Sequence, residues 1–229
     1  MKTLRLFIIV IILCITYTKI NAQTLYESRV SIGGKTGMTL SKTMFSPSVP
    51  QTILLGYAAG VTFHYAEEKN FGLLMELNFE QRGWKEDFEE FPFNYSRTLT
   101  YVQIPILTHI FFGNSKLKGF INAGPEVGYL IGESISANFD YINLSSVDGF
   151  PIVNRNNEQV SLPIKNKIDY GISIGAGAEF IAKRDHSLIL EGRFYYGLGN
   201  VFGSRKKDAF SASTGMSLMI TLGYSYRLK

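Results

Sequence analysis

Residues 53–65 read ILLGYAAGVTFHY, and the side chains along this stretch alternate between two kinds. Every second residue from Ile53 to Tyr65 is in most cases large and apolar. The residues between them are small or polar, with the exception of Leu54. A repeat of two residues predicts a β-strand whose two faces meet different surroundings. The same alternation returns in residues 215–228, where Met216 and Tyr224 belong to the apolar face.

Eight segments of this kind can be drawn along the chain, and each exceeds the roughly 9–11 tilted residues that a strand needs to cross a membrane. Closed into a ring with the apolar face outward, they predict an all-β fold, an eight-stranded antiparallel up-and-down transmembrane β-barrel. The predicted strands are 29–41, 53–66, 70–82, 98–112, 119–132, 167–182, 187–199 and 213–228.

The connections between these strands alternate in length, as they do in outer-membrane barrels. Those at 67–69, 113–118 and 183–186 are short, and those at 42–52, 83–97, 133–166 and 200–212 are long. This pattern places both chain ends on the periplasmic side. Pro105 and Pro125 lie inside predicted strands, and because proline cannot donate to a ladder, we expect a bulge at each.

The N-terminus has the features of a secretory signal peptide. Lys2 and Arg5 precede an apolar run from Leu6 to Ile15 that is too short to span a bilayer as a helix, and Ala22 suits the cleavage site. We therefore divide the chain into a cleaved signal peptide, 1–22, and a barrel domain, 23–229, in the outer membrane of a Gram-negative bacterium.

Removal of the signal peptide changes the composition in two ways. The single cysteine of the chain is lost with it, so no thiol chemistry is expected in the mature protein. Three of the 23 basic residues are lost as well, which leaves the mature chain close to neutral against 19 acidic residues and gives no reason to expect a nucleic-acid partner.

The inward positions of the predicted strands carry charged residues. Lys35, Glu76, Glu126 and Arg193 lie near the middle of their strands on these faces. An eight-stranded barrel is just wide enough to be filled by its own side chains, so these four residues are predicted to form a charge network in a packed lumen. A path for an ion or a solute is the alternative interpretation.

The longest connection, 133–166, is the predicted partner-contact loop. It combines aromatic residues, expected to be exposed, with charges, and we single out Phe139, Tyr141, Phe150 and Arg155 for contact with an envelope protein. A disordered loop fits the same length equally well. The apolar exterior predicts contact with outer-membrane lipid and lipopolysaccharide.

The sequence offers little chemistry, so we expect no enzyme, no cofactor and no metal site. The main alternative is a membrane-embedded hydrolase or acyltransferase acting on lipid A or phospholipid, which would need a base such as histidine beside a nucleophile. His64, His109 and His186 all fall near the predicted periplasmic end, away from surface lipid. A soluble lipid-binding barrel, with its apolar face inward, would require a more highly charged exterior.

Three segments carry a resemblance to a known family: Ser31–Ser41 (SIGGKTGMTLS), Tyr101–Leu107 (YVQIPIL) and Phe120–Leu130 (FINAGPEVGYL). They are similar to the first, fourth and fifth strands of the PorT-like outer-membrane β-barrel family of Bacteroidota. Gln103 stands where the family usually has glutamate, and the chain ends on Lys229 where such barrels often end on an aromatic residue. The resemblance implies an outer-membrane barrel of about eight strands and supplies no catalytic residues; a few members serve gliding and type IX secretion.

Overall fold

Nine strands, one short α-helix and one 3₁₀ helix (Leu144–Ser146) are present in the part of the chain that the computed structural model describes, residues 28–66, 68, 70–89, 91–151, 155–183 and 185–228. The predicted signal peptide lies outside these residues. The strands are β1 (Arg29–Ser46), β2 (Gln51–Thr52), β3 (Leu54–Ala66), β4 (Phe71–Glu86), β5 (Tyr95–Gly113), β6 (Leu117–Ala137), β7 (Ile168–Lys183), β8 (His186–Asn200) and β9 (Ala212–Arg227), and the helix is α1 (Glu158–Ser161). Among the described residues, no helix is long and apolar enough to cross a membrane.

The strands form one closed antiparallel sheet. Each long strand pairs with its neighbours in the chain, and β1 closes the ring by pairing with β9, where Met38 lies opposite Ile220. The two-residue β2 only extends the ladder of β4 beyond the end of β3. The predicted eight-stranded barrel is therefore confirmed, with β1 and β3–β9 as its wall.

The exterior of the barrel is apolar and the interior is polar. Alternate residues of the wall are exposed and large, such as Leu77 on β4 and Ile220 on β9, whereas their inward neighbours Glu76 and Thr221 are buried. An exterior of this kind suits hydrocarbon rather than water. The soluble barrel with an inward apolar face is therefore excluded.

The two ends of the barrel differ. At the short-turn end, the strands are joined through 67–70, 114–116 and 184–185. At the long-loop end, they are joined through 47–53, 87–94, 138–167 and 201–211, and four strands reach farther than predicted: β1, β4, β5 and β6. The predicted ends of these four strands are wrong. Outward positions in the extensions carry polar residues such as Lys42 and Lys85, so the apolar alternation that marked the strands stops before the strands do.

The expected bulges at Pro105 and Pro125 are absent. Pro105 lies opposite Glu126 and Pro125 lies opposite Ile172, and the register on both sides of each proline is unchanged. The register shift between β5 and β6 falls between Thr100 and Tyr101 instead. The prolines instead interrupt the pairing without shifting it. The β4–β5 ladder has no pairs at Ile104 and Pro105, and the β5–β6 ladder has none at Ile106 and Leu107. Proline lacks the amide donor that a ladder pair needs.

Candidate functional site: the barrel lumen

The middle of the lumen holds a charge network centred on Glu76. Lys35 on β1 donates from Nζ to Glu76 Oε2 at 2.7 Å, and Arg193 on β8 donates to both carboxylate oxygens, at 2.6 and 2.9 Å. Glu76 lies on β4, so three strands that are far apart in the sequence are joined here. All three side chains are at most 5% exposed.

The charges of this network are balanced by a second carboxylate. Arg193 also binds Glu191 at 2.7 Å, and Lys35 approaches the same carboxylate at 3.6 Å. The amide of Asn78 adds a hydrogen bond to Glu76 at 2.8 Å. Two cations thus face two carboxylates, which is the arrangement that lets buried charges remain paired away from water.

Glu126, the fourth predicted member, lies in a separate cluster. Its Oε2 accepts a hydrogen bond from the Ser173 hydroxyl at 2.6 Å, and its nearest cation is Arg82 at 3.9 Å. Arg82 binds Asp169 more closely, at 2.6 Å, and Glu80 lies 3.7 Å away. The structure therefore brings three of the four predicted residues together and places Glu126 beside a different arginine.

Arg82 is also held by aromatic rings. Its guanidinium carbon lies 4.4 Å from the centre of the Tyr101 ring and 4.2 Å from that of Tyr195. Rings at this distance stabilise a cation through their π faces. This contact keeps the arginine fully inside the barrel and fills the lumen at its level.

His64 and His109 lie inside the lumen, toward its short-turn end. The rings of His64 and His109 are 4.4 Å apart, and His109 Nδ1 shares a hydrogen bond of 2.6 Å with Asn122 Oδ1. The Asn122 amide in turn donates to Glu191 at 2.8 Å, which connects the histidines to the charge network. His186 lies outside the lumen and hydrogen bonds to the Tyr224 hydroxyl at 2.5 Å.

A small cavity separates the charge network from the short-turn end. It has a volume of about 50 Å³ and is lined by Lys35, Glu76, His64, His109 and Asn122, among others. A water molecule needs roughly 10–15 Å³ of such space, so a few waters fit. Within the described residues, no group of three or more His, Cys, Asp and Glu side chains is placed to hold a metal ion.

The long-loop end of the lumen is closed by an aromatic cluster that the sequence interpretation missed. Trp84 is fully buried, with its ring 5.3 Å from Phe45 and 5.8 Å from Phe202, and Phe202 stacks on Phe210 at 5.9 Å. Phe45 and Trp84 lie on inward positions of the strand extensions. The alternation of β1 and β4, continued to Phe45 and Trp84, places both residues on the inward face, and this was the signal that could have revealed the cluster.

Residues 138–167 fold over this end, and their aromatic side chains point into it. Phe150 is only 7% exposed, and its ring lies 5.8 Å from Phe88 and 4.9 Å from Phe139. Phe139 and Tyr141 are half-buried in the same cluster. The prediction that these aromatic residues are exposed is wrong, because the loop has an apolar surface of its own to cover at the barrel mouth.

Polar contacts bind the same loop to the strand ends. Arg155 forms an ion pair of 2.9 Å with Glu86, and the Gln159 amide donates to that carboxylate at 2.9 Å. The Tyr95 hydroxyl donates to the carbonyl of Val160 at 2.8 Å, and Arg97 donates to the carbonyl of Leu162 at 2.7 Å. The described part of the loop is therefore folded, and the disordered alternative does not hold for it.

Comparisons with known proteins give one family. The sequence profile described as "Outer membrane protein beta-barrel domain" matches residues 21–203. No curated protein matches the sequence.

Solved structures resemble the barrel at low sequence identity. Neisserial surface protein A (NspA) is 10% identical, with 88% of this chain and 99% of that chain covered, at a TM-score of 0.48. OprG from Pseudomonas aeruginosa is 10% identical over 88% and 95% at a TM-score of 0.49, and the outer membrane enzyme PagL is 14% identical over 86% and 98% at 0.41. Likenesses this distant carry no argument about activity, so function is inferred below from the residues of this chain.

Proposed function

The chain belongs to the outer membrane protein β-barrel domain family, and on that premise we propose that it is a closed, non-enzymatic barrel serving as a structural or accessory component of an envelope or secretion assembly. It lies in the outer membrane of a Gram-negative bacterium. Its apolar exterior therefore contacts the lipids of that membrane, lipopolysaccharide among them. The short-turn end faces the periplasm and the long-loop end faces the outside.

The closed lumen is the observation that carries this proposal. Two charge clusters fill its middle, and above them Trp84 and Phe202 close it under the folded loop. The only histidine–side chain hydrogen bonds formed by described residues are those of His109 with Asn122 and His186 with Tyr224. These contacts favour a scaffold over both a solute path and a hydrolase built on a serine–histidine pair.

We place the partner surface on the outer face of the 138–167 loop, which together with the aromatic cluster beneath it forms a plug at the long-loop end. The aromatic residues themselves lie under this surface. The loop keeps its shape because four of its side chains pack inward: Phe139, Tyr141, Phe150 and Arg155. Their role in partner binding is therefore indirect, through the conformation of the loop. The apolar side chain of Ile142, 77% exposed on the same loop, is available for direct contact. In protein interfaces, apolar side chains at the centre of the contact are surrounded by a polar rim.

The resemblance to the PorT-like family of Bacteroidota supports the choice of an assembly role. The three segments that carry it lie in β1, β5 and β6, which form part of the barrel wall. We propose on this basis that the partner is an envelope protein, because a few members of that family serve gliding and type IX secretion.

Two measurements test the proposal. Purified protein in a planar bilayer should produce no conductance steps, because the lumen is filled; regular channel openings would contradict a closed scaffold. A photo-crosslinking residue in place of Ile142 should capture a defined envelope protein in living cells, whereas the same residue in place of Leu77, which faces lipid, should not.

Equal capture from both positions in the crosslinking experiment would mean that the contacts are not specific, and would count against the proposal. A separate activity assay tests the enzyme alternative. Release of fatty acid from lipid A or phospholipid by the purified protein, lost in His109→Ala, would contradict the proposal and favour the enzyme.

A further inference from the structure

A basic patch lies on one side of the long-loop end. Residues 165–167 and 201–211 contain five basic residues and one acid, and Lys165, Lys167, Arg205, Lys206 and Lys207 are all exposed. The connection 87–94, which joins β4 to β5, is acidic and contains no basic residue. Positive charge is therefore concentrated near β7 and β8, and negative charge lies on another side of the mouth.

Backbone contacts hold the two basic segments together. The amides of Lys165 and Asn166 both donate to the carbonyl of Val201 at 3.2 Å, and the Asn166 side chain donates to the carbonyl of Asn200 at 2.6 Å. Lys165 pairs only loosely with Asp208, at 3.9 Å, and its side chain remains 54% exposed. The backbone at Lys165 is thus held in place, while the side chains of Lys165 and Lys167 stay exposed to a ligand.

This patch is continuous with the lipid-facing wall. The backbone of Lys167 is fixed by its carbonyl, which accepts a hydrogen bond of 2.8 Å from the amide of Leu130. Directly below it, Tyr129 and Tyr170 are about half exposed on the outward face. Amphipathic rings at this depth mark the headgroup layer of a membrane.

A surface groove joins the cations to the apolar wall. It has a volume of about 640 Å³, and its lining combines basic and polar residues with apolar and aromatic ones: Lys165, Asn166, Lys167, Tyr129, Tyr170 and Leu198. The next residue along its edge, Ser204, leads directly into Arg205, Lys206 and Lys207. The groove therefore presents an anion-binding end above a surface for hydrocarbon.

We propose that this groove binds a phosphorylated glycolipid of the outer leaflet, of the lipid A class. Its phosphate groups would lie against Lys165 and Lys167, and its acyl chains would follow the wall past Ile168 and Leu198. Ammonium groups bind phosphate through charge-assisted hydrogen bonds, and an anionic lipid surface adds electrostatic attraction for nearby basic residues. The proposal depends on the outer-membrane location and not on the proposed protein partner.

The test uses the full mature protein folded in detergent micelles and titrated by native mass spectrometry. The probes are diphosphoryl lipid A, the same saccharolipid with its phosphates removed, and inorganic phosphate. The variant is Lys165→Gln together with Lys167→Gln. The matched control is Lys85→Gln, an exposed lysine on β4, which lies across the ring from β7 and β8.

We expect diphosphoryl lipid A to bind about tenfold or more tighter than the dephosphorylated form. The double substitution should weaken its binding about thirtyfold, from the loss of two interfacial cations, while Lys85→Gln changes it by less than about twofold. Heat-modifiable migration on gels checks that each variant is folded.

Three results would overturn the proposal. Equal binding of the two lipids would show that phosphate is not recognised, and an equal loss in Lys85→Gln would show a general surface-charge effect. Displacement of the glycolipid by inorganic phosphate at matching concentration would mean that the groove binds phosphate alone rather than a membrane lipid.

Discussion

Removing the carboxylate of Glu76 tests the central charge network most directly. In Glu76→Ala, Lys35 loses its 2.7 Å partner and Arg193 loses both oxygens of a two-pronged contact. Glu191 remains 2.7 Å from Arg193 and 3.6 Å from Lys35, so one carboxylate is left to compensate two buried cations.

The magnitude follows from these contacts. Breaking a buried ion pair by removing one partner costs about 3–5 kcal/mol, because the remaining charge is left in a dry interior. Since Glu191 compensates in part, we expect the free energy of unfolding to fall by about 3 kcal/mol, the lower end of that range. Glu76→Gln, which removes the charge but keeps the side-chain size, should reproduce most of this loss.

The measurement is urea unfolding of the protein folded into lipid vesicles, followed by heat-modifiable migration and by the emission of the single tryptophan, Trp84. Trp84 is fully buried in the aromatic cluster, so its emission reports the opening of the plug end as well. The control is Glu89→Ala in the long loop at 87–94, where a surface change should stay within about 0.5 kcal/mol. If Glu76→Ala and Glu89→Ala gave the same small change, the lumen would be wide and hydrated, and the buried network would be refuted.

Two further predictions concern the wall and the plug. Ile220→Arg places a charge on the lipid face and should lower the free energy of unfolding by about 2–4 kcal/mol in vesicles. The control, Ser145→Arg on the exposed loop, should leave that free energy unchanged. Equal effects of the two substitutions would mean that the alternating apolar residues do not face lipid. Arg155→Met removes the ion pair with Glu86 and should make the 138–167 loop of the folded barrel sensitive to limited proteolysis. The control, Glu158→Gln, changes an exposed residue of the same loop and should leave the loop resistant. An intact loop in both variants would show that apolar packing alone holds the loop in place.

The charge network was predictable only in part. The inward parity of Lys35, Glu76 and Arg193 follows from the alternation within each strand, and their contacts agree with that expectation. Glu126 has the same parity but lies beside Arg82 and Ser173. The alternation within one strand shows that a residue faces the lumen. Its height along the barrel axis depends on the stagger between neighbouring strands, and the sequence of one strand does not reveal that stagger.

The loop shows a different limit of prediction. Composition alone gave no reason to choose between aromatic residues that face a partner and aromatic residues that pack inward. Phe139 and Phe150 pack inward because Phe88 and Phe93, from another loop, offer them an apolar surface at the same end. That surface exists only after the ring has closed.

By itself, the sequence determined the eight long strands of the wall, the face on which their alternating side chains lie and the lipid-facing exterior, because a period of two is a property of the local backbone. The tertiary structure alone decided which charges meet, how the mouth is plugged and where Lys165 and Lys167 come beside residues 201–211. Each of these depends on distances between segments remote in the chain, and those distances are set by the pairing register and closure of the sheet.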